Sequence, residues 1–134
     1  MFKKILCVDD DPITLMILKM TMKKCEFTSI VETVADGTEA VRYYEGLLQN
    51  PSIDAPELIF LDLNMPQMSG WAFLDVFIAR FQKYFPATKV IILSSSIDPE
   101  DIRKSQAAPC VKEFISKPIH TTTLLRLKSE IEVH

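Results

Sequence analysis

Glycine is scarce in this chain, three in 134 residues, and cysteine is no commoner, also at three. With 48% hydrophobic and 25% charged residues, this is globular usage and excludes a fibrous or disordered chain. Cys7, Cys25 and Cys110 are odd in number, widely spaced and set in apolar segments with no CxxC pair. They read as reduced core thiols in a cytosol rather than as a disulfide framework. Positive charge is not in excess either. A formal net charge of -3 and a pI near 5.4 leave no basic field to hold nucleic-acid phosphates or an anionic membrane. No stretch approaches the roughly 20 apolar residues of a membrane span. The run from Met1 to Val8 stops at Asp9, too short for a signal peptide. The expectation is one domain over residues 1–134, with no room for a second, in a cytoplasmic protein that contacts neither nucleic acid nor membrane.

What is present is an alternation. Ile5-Leu6-Cys7-Val8 is a continuous apolar run stopped by Asp9-Asp10-Asp11, which predicts a strand buried on both faces. Pro12 opens a helix capped by Asp11, with Leu15, Leu18, Met22 and Cys25 along one face. A second strand is expected over 29–34, then a helix from Thr38 with Val41, Tyr44 and Leu48 inward. Leu58-Ile59-Phe60-Leu61 is the most apolar strand and ends at Asp62. After a turn-rich loop to Gly70 comes a helix with Trp71, Leu74, Ile78, Phe81 and Phe85 on one face. Val90 to Leu93 leads into Ser94-Ser95-Ser96. Asp98-Pro99 then starts a polar helix, 111–116 a fifth strand, and 121 to about 132 a last helix with Leu124, Leu127 and Ile131 facing in. Five strand–helix units with short connections argue a doubly wound α/β domain with a five-stranded parallel sheet.

In open α/β sheets ligands bind at the carboxyl ends of the strands. Those ends carry Asp9 and Asp10, Asp62, Ser94 and, after the fifth strand, Lys117. Carboxylates packed together repel unless a cation neutralises them, so the cluster implies a metal, and oxygen-only ligands suggest Mg2+. Phosphoryl transfer follows as the chemistry. A carboxylate can carry an acyl phosphate while Mg2+, an ammonium and a hydroxyl meet the charge of its oxygens. Each residue also has an ordinary reading: strand-end acids start loops, lysines snorkel, and serines open helices. Asp11 is assigned to its helix cap and left out of the site.

Val8-Asp9-Asp10-Asp11-Pro12, Leu61-Asp62-Leu63-Asn64-Met65-Pro66-Gln67-Met68-Ser69-Gly70, Leu93-Ser94-Ser95 and Phe114-Ile115-Ser116-Lys117-Pro118 resemble, in order, the motifs of response regulator receiver domains. The resemblance implies a flavodoxin-like fold of strand order 2-1-3-4-5 and a receiver without an output domain. The implied function is a two-component phosphorelay switch that takes phosphate on Asp62 from a sensor histidine kinase or phosphotransfer protein and acts on a downstream protein target. It also implies that Asp10 ligates Mg2+ with Asp62 and the Asn64 carbonyl while Asp9 supports the ion. Ser94 and Lys117 would bind the phosphoryl group, and Phe114 would be the switch aromatic, coupled to Ser94. Two departures stand out: no glycine lies between Gln106 and Lys112, and Ser rather than Thr occupies position 94.

Rival chemistries fit less well. A haloacid-dehalogenase-type phosphatase would need a second acid where Asn64 stands, and an FMN carrier would meet three acids where its phosphate loop belongs. A scaffold indifferent to phosphate would be expected to have lost Asp62 or Lys117. The resemblance implies Mg2+-dependent, self-catalysed gain and loss of phosphate rather than turnover of a substrate, so the chain is expected to be a phosphoacceptor and not an enzyme.

Overall fold

The first strand, β1, runs Phe2–Val8 and begins upstream of the apolar run that marks it. Lys3 and Lys4 mask the extension in the sequence. Lys4 is buried, yet its ammonium pairs with Glu32 at 3.1 Å and donates to the Asp54 carbonyl at 2.8 Å. A lysine whose charge is met in this way can occupy a buried strand. The computed structural model describes residues 1–95 and 97–132, and in it four more strands follow: β2 (Thr28–Val34), β3 (Leu58–Asp62), β4 (Lys89–Ser94) and β5 (Val111–Ser116). All pair in parallel in the order β2-β1-β3-β4-β5, the flavodoxin-like order. Helices α1 (Pro12–Lys24), α2 (Gly37–Gln49), α3 (Gly70–Val76), α4 (Pro99–Ala107) and α5 (Thr121–Glu132) make the crossovers and the final layer.

Side chains alternate across the sheet, so each strand feeds two cores. On one face Leu6, Val8, Ile59, Leu61, Val90 and Ile92 pack with Tyr44 and Leu47 of α2 and Phe73, Leu74 and Phe77 from the third helix. On the other, Ile5, Cys7, Leu58, Phe60, Ile91 and Leu93 meet Leu18 and Met22 of α1 and Leu124 and Leu127 of α5. β3 is fully buried along its length, which is why its sequence is apolar at every position up to Asp62.

Two expected helix faces need correction. The helix anticipated from Thr38 begins at Gly37, because the Asp36 side chain caps it by accepting the Glu39 N–H at 2.9 Å. Its buried residues are Gly37, Ala40, Tyr44 and Leu47, while Leu48 is exposed. The third helix was expected to bury Trp71, Leu74, Ile78, Phe81 and Phe85. Leu74 and Phe81 are buried and Trp71 and Phe85 pack half-buried against the same core, but Phe73 and Phe77 are buried there too, while Ile78 is exposed. Phenylalanines recur every fourth residue, and in an α-helix each such step drifts about 40° around the axis. A widened π turn over Phe77–Phe81, marked by the Gln82 N–H donating to the Phe77 carbonyl at 2.8 Å, takes up the drift and keeps them on the core. Their rings surround Tyr44, with the Phe77 and Phe81 centroids 5.2 and 5.5 Å away.

The expected caps of α1 and α4 are present. Asp11 accepts from the Ile13 N–H and the Thr14 hydroxyl, and Asp98 accepts from the Glu100 N–H. Ser96, expected in the loop before α4, lies outside the described residues.

Candidate functional site

Parallel register brings the strand ends level. Val8 pairs with Leu61, Asp62 with Leu93, and Ser94 with Ser116, so Asp9, Asp62, Ser94 and Lys117 emerge at one edge. Asp9, Asp62 and Ser94 are buried, whereas Asp10 is exposed. The Lys117 ammonium reaches back across the edge, 2.7 Å from Asp9 Oδ2 and 3.4 Å from Asp62 Oδ1. Its own N–H donates to the Ser94 carbonyl at 2.8 Å, tying the ends of β4 and β5 together, and the Lys117–Pro118 peptide is cis.

Burial, and then the neighbouring Asp9 charge, push the Asp62 carboxyl above its ordinary range; Lys117 and the Asn64 N–H offset this only in part. Burial acts against the Lys117 charge, but the Asp9 hydrogen bond and the Asp62 charge outweigh it and raise the ammonium above an ordinary lysine. Oxygens of Asp9, Asp10 and Asp62 lie within 4.8 Å of one another. One ammonium against three carboxylates leaves the cluster with excess negative charge, and every ligand atom is a hard oxygen. That donor set fits Mg2+. Asp11 stands apart: its carboxyl is held below the usual range, first by the Thr14 hydroxyl and then by the Ile13 N–H, as a helix cap.

The loop after Asp62 is drawn tightly around it. The Asn64 N–H donates to Asp62 Oδ1 at 3.3 Å. Gln67 has φ 68° between Pro66 and Met68, and the Met68 N–H donates to the Pro66 carbonyl at 2.8 Å. This is the rare, strained γ-turn of positive φ. The loop closes where the Gly70 N–H donates to the Leu63 carbonyl at 3.0 Å. A β-carbon on Gly70 would overlap the Asp62 carbonyl and stand 2.8 Å from Leu63 Cα. One on Gly37 would stand 2.7 Å from Met68 Cγ. Two of the three glycines thus let the chain pack closely against the loop after Asp62, a role that no motif in the sequence signals.

Ser94 ends β4 two residues after Ile92, whose register partner is Phe114. By the alternation of the pleat, Ser94 and Phe114 occupy the same sheet face on adjacent strands. Phe114 is half-buried, packed against the core that holds α2 and α3.

A sequence model described as the response regulator receiver domain matches residues 5–128. The chain belongs to that family. A two component response regulator from Cytophaga hutchinsonii superposes on this receiver domain with a TM-score of 0.90, at 28% identity, covering 99% of this chain and 98% of that one. The chemotaxis protein CheY of Listeria monocytogenes is 28% identical over 122 residues, 91% of this chain and 92% of that protein. A protein-glutamate methylesterase/protein-glutamine glutaminase of Methanospirillum hungatei is 31% identical over 102 residues, 76% of this chain. The receiver domain spans about a quarter of that enzyme's length, 26%. The acid cluster at its strand ends is that of a two-component receiver, consistent with Mg2+ and an aspartyl phosphate.

Proposed function

We propose that this receiver domain is a phosphorelay switch that accepts a phosphoryl group on Asp62 from a sensor histidine kinase or a phosphotransfer protein and signals through protein–protein contacts. The observation that carries this reading is the Lys117 ammonium bridging Asp9 and Asp62, with the Asp10 carboxylate beside them. A buried aspartate pressed by a second carboxylate is held ready for cations and for the oxygens they carry.

In the proposed transfer, a carboxylate oxygen of Asp62 forms a bond to phosphorus as the bond to the donor's imidazole nitrogen breaks and its electron pair returns to the ring. Lys117 exchanges part of its pairing with Asp62 for a phosphoryl oxygen, and the Ser94 hydroxyl donates to another. Asp10, Asp62 and the Asn64 carbonyl would hold Mg2+, with Asp9 supporting it; when bound, the ion supplies charge neutralisation at the phosphoryl group. Attack by water on phosphorus returns the carboxylate and inorganic phosphate, so the domain resets itself. Residues 1–134 act as one receiver unit in the cytoplasm. Support for that location comes from three free thiols at Cys7, Cys25 and Cys110, and from the lack, among the described residues, of a helix long and apolar enough to cross a membrane. The formal net charge of -3 argues against a nucleic-acid partner.

The test is incubation with acetyl phosphate and Mg2+, read by intact mass. Wild type gains one phosphoryl group and Asp62→Asn gains none. A gain on Asp62→Asn equal to that of wild type overturns the assignment.

A further inference from the structure

Helix α4 is poorly anchored by apolar burial. Of its residues only Ser105 is buried, and Ile102 is the one large apolar side chain it brings even to half-burial. Yet it is gripped at its first turn from another element. The Trp71 indole N–H donates to Asp101 Oδ1 at 2.8 Å, and the Lys104 ammonium lies 4.7 Å from the centre of the same ring. Asp101 and Lys104 are three residues apart on one helix face, so they close on the indole edge and the indole face together. Trp71 is itself half-buried and packed against the core beneath α2 and α3.

The other end of this contact is the acceptor loop. Trp71 follows Gly70, whose N–H donates to the Leu63 carbonyl and where a β-carbon would overlap the Asp62 carbonyl. Ser69 then caps α3 by accepting the Ala72 N–H at 3.2 Å, which makes Gly70 and Trp71 the rigid first turn of that helix. Residues 63–70 around Asp62 are thus joined to the indole through the first turn of α3, and the indole is bonded to α4.

We infer that Trp71 is a positioning residue that fastens α4 to the acceptor loop and carries changes at Asp62 to that helix. The inference rests on the reading of Asp62 as the phosphoacceptor. It concerns a connection through α3 and α4 that is separate from the Ser94–Phe114 connection through β4 and β5.

Amide hydrogen exchange of the segment 99–107 tests it, with the emission of Trp71, the single tryptophan, as a second signal. Asp101→Ala removes the acceptor and is expected to speed exchange in this segment about tenfold, the loss of a hydrogen bond to a charged group. Asp101→Asn keeps an acceptor oxygen but not the charge and is expected to exchange at a rate between wild type and Asp101→Ala. Trp71→Phe keeps a ring for Lys104 but loses the donor, and is expected to match Asp101→Ala, with no further increase in the double variant. Mg2+ with beryllium fluoride, standing in for the phosphoryl group, is expected to change α4 exchange and Trp71 emission in wild type. In Asp101→Ala it should bind but change α4 exchange less than in wild type, the remainder being what the separate Ser94–Phe114 route carries. Wild-type exchange in Asp101→Ala, or an equal response of α4 to beryllium fluoride in both proteins, overturns the inference. A wild type that gains no phosphoryl mass from acetyl phosphate overturns the acceptor reading and the transmission with it. A loaded wild type whose α4 ignores the loading overturns the inference alone.

Discussion

Gly70 lies so close to the Asp62 carbonyl that the smallest side chain would overlap it. The neighbours are backbone atoms of Asp62 and Leu63, which cannot rotate away as a flexible side chain could. Gly70→Ala is expected to cost about 3 kcal/mol, the upper end for overpacking a rigid site, and to weaken Mg2+ binding by displacing Asp62. Urea unfolding and a Mg2+ titration check both; unchanged stability would show that the loop has room to yield. Gly46, with nothing near its would-be β-carbon, is the control, and Ala there is expected to raise stability by up to about 1 kcal/mol.

Lys117 is the one cation seen to pair with Asp9 and Asp62 among the described residues. Lys117→Met keeps the length of the side chain and removes the charge, leaving two buried carboxylates to repel. Without Mg2+ the variant is expected to lose about 3 kcal/mol of stability, as for a broken buried pair. It is also expected to bind Mg2+ roughly fivefold more tightly, since a competing ammonium within about 4 Å is worth about 1 kcal/mol even in water. Weaker Mg2+ binding in a folded variant would count against a shared site.

The raised Asp62 carboxyl makes a pH prediction with a definite sign. A carboxyl held above its unfolded value by burial and by Asp9 supports the fold while protonated, and that support is lost as pH rises through the folded pKa. Asp62→Asn is therefore expected to be more stable than metal-free wild type at neutral pH, with the difference shrinking as pH falls through the raised folded pKa toward the ordinary carboxylate range and vanishing below it. Added Mg2+ should stabilise wild type more than Asp62→Asn. Thermal unfolding across pH, with and without Mg2+, measures this, and a variant no more stable than wild type at neutral pH contradicts it.

The residues of the edge were legible because acids and a lysine at the ends of apolar runs stand out, whereas the strand order came only with the resemblance to receiver motifs. What escaped depends on partners distant in sequence. Lys4 reads as a surface residue until Glu32 and Asp54 are placed beside it. The choice between Leu47 and Leu48 turns on which side of Tyr44 faces the core, and Gly37 and Ala40 lie on the Leu47 side. The four-residue spacing of Phe73, Phe77 and Phe81 does hint at a widened turn, but periodicity fitted to an ideal helix selected Ile78 instead. The grip of Trp71 on Asp101 has no local signature at all.

Phe114 shares a sheet face with Ser94 and is half-buried, a position from which an aromatic ring can move further in. If the Ser94 hydroxyl shifts toward a phosphoryl oxygen, the vacated space is expected to draw Phe114 inward and alter the surface made by α4, β5 and α5. Structures with and without beryllium fluoride decide the matter. An unchanged Phe114 rotamer rejects this switch while leaving Asp62 as acceptor.

The most direct measurement is chemical mapping of the acyl phosphate. After reaction with acetyl phosphate and Mg2+, borohydride reduces a phosphorylated aspartate to homoserine, and peptide sequencing locates it. The account requires homoserine at position 62, absent when Mg2+ is withheld and absent in Lys117→Met under the same exposure. Homoserine at position 9 or 10, or undiminished modification of wild type without Mg2+, would contradict it.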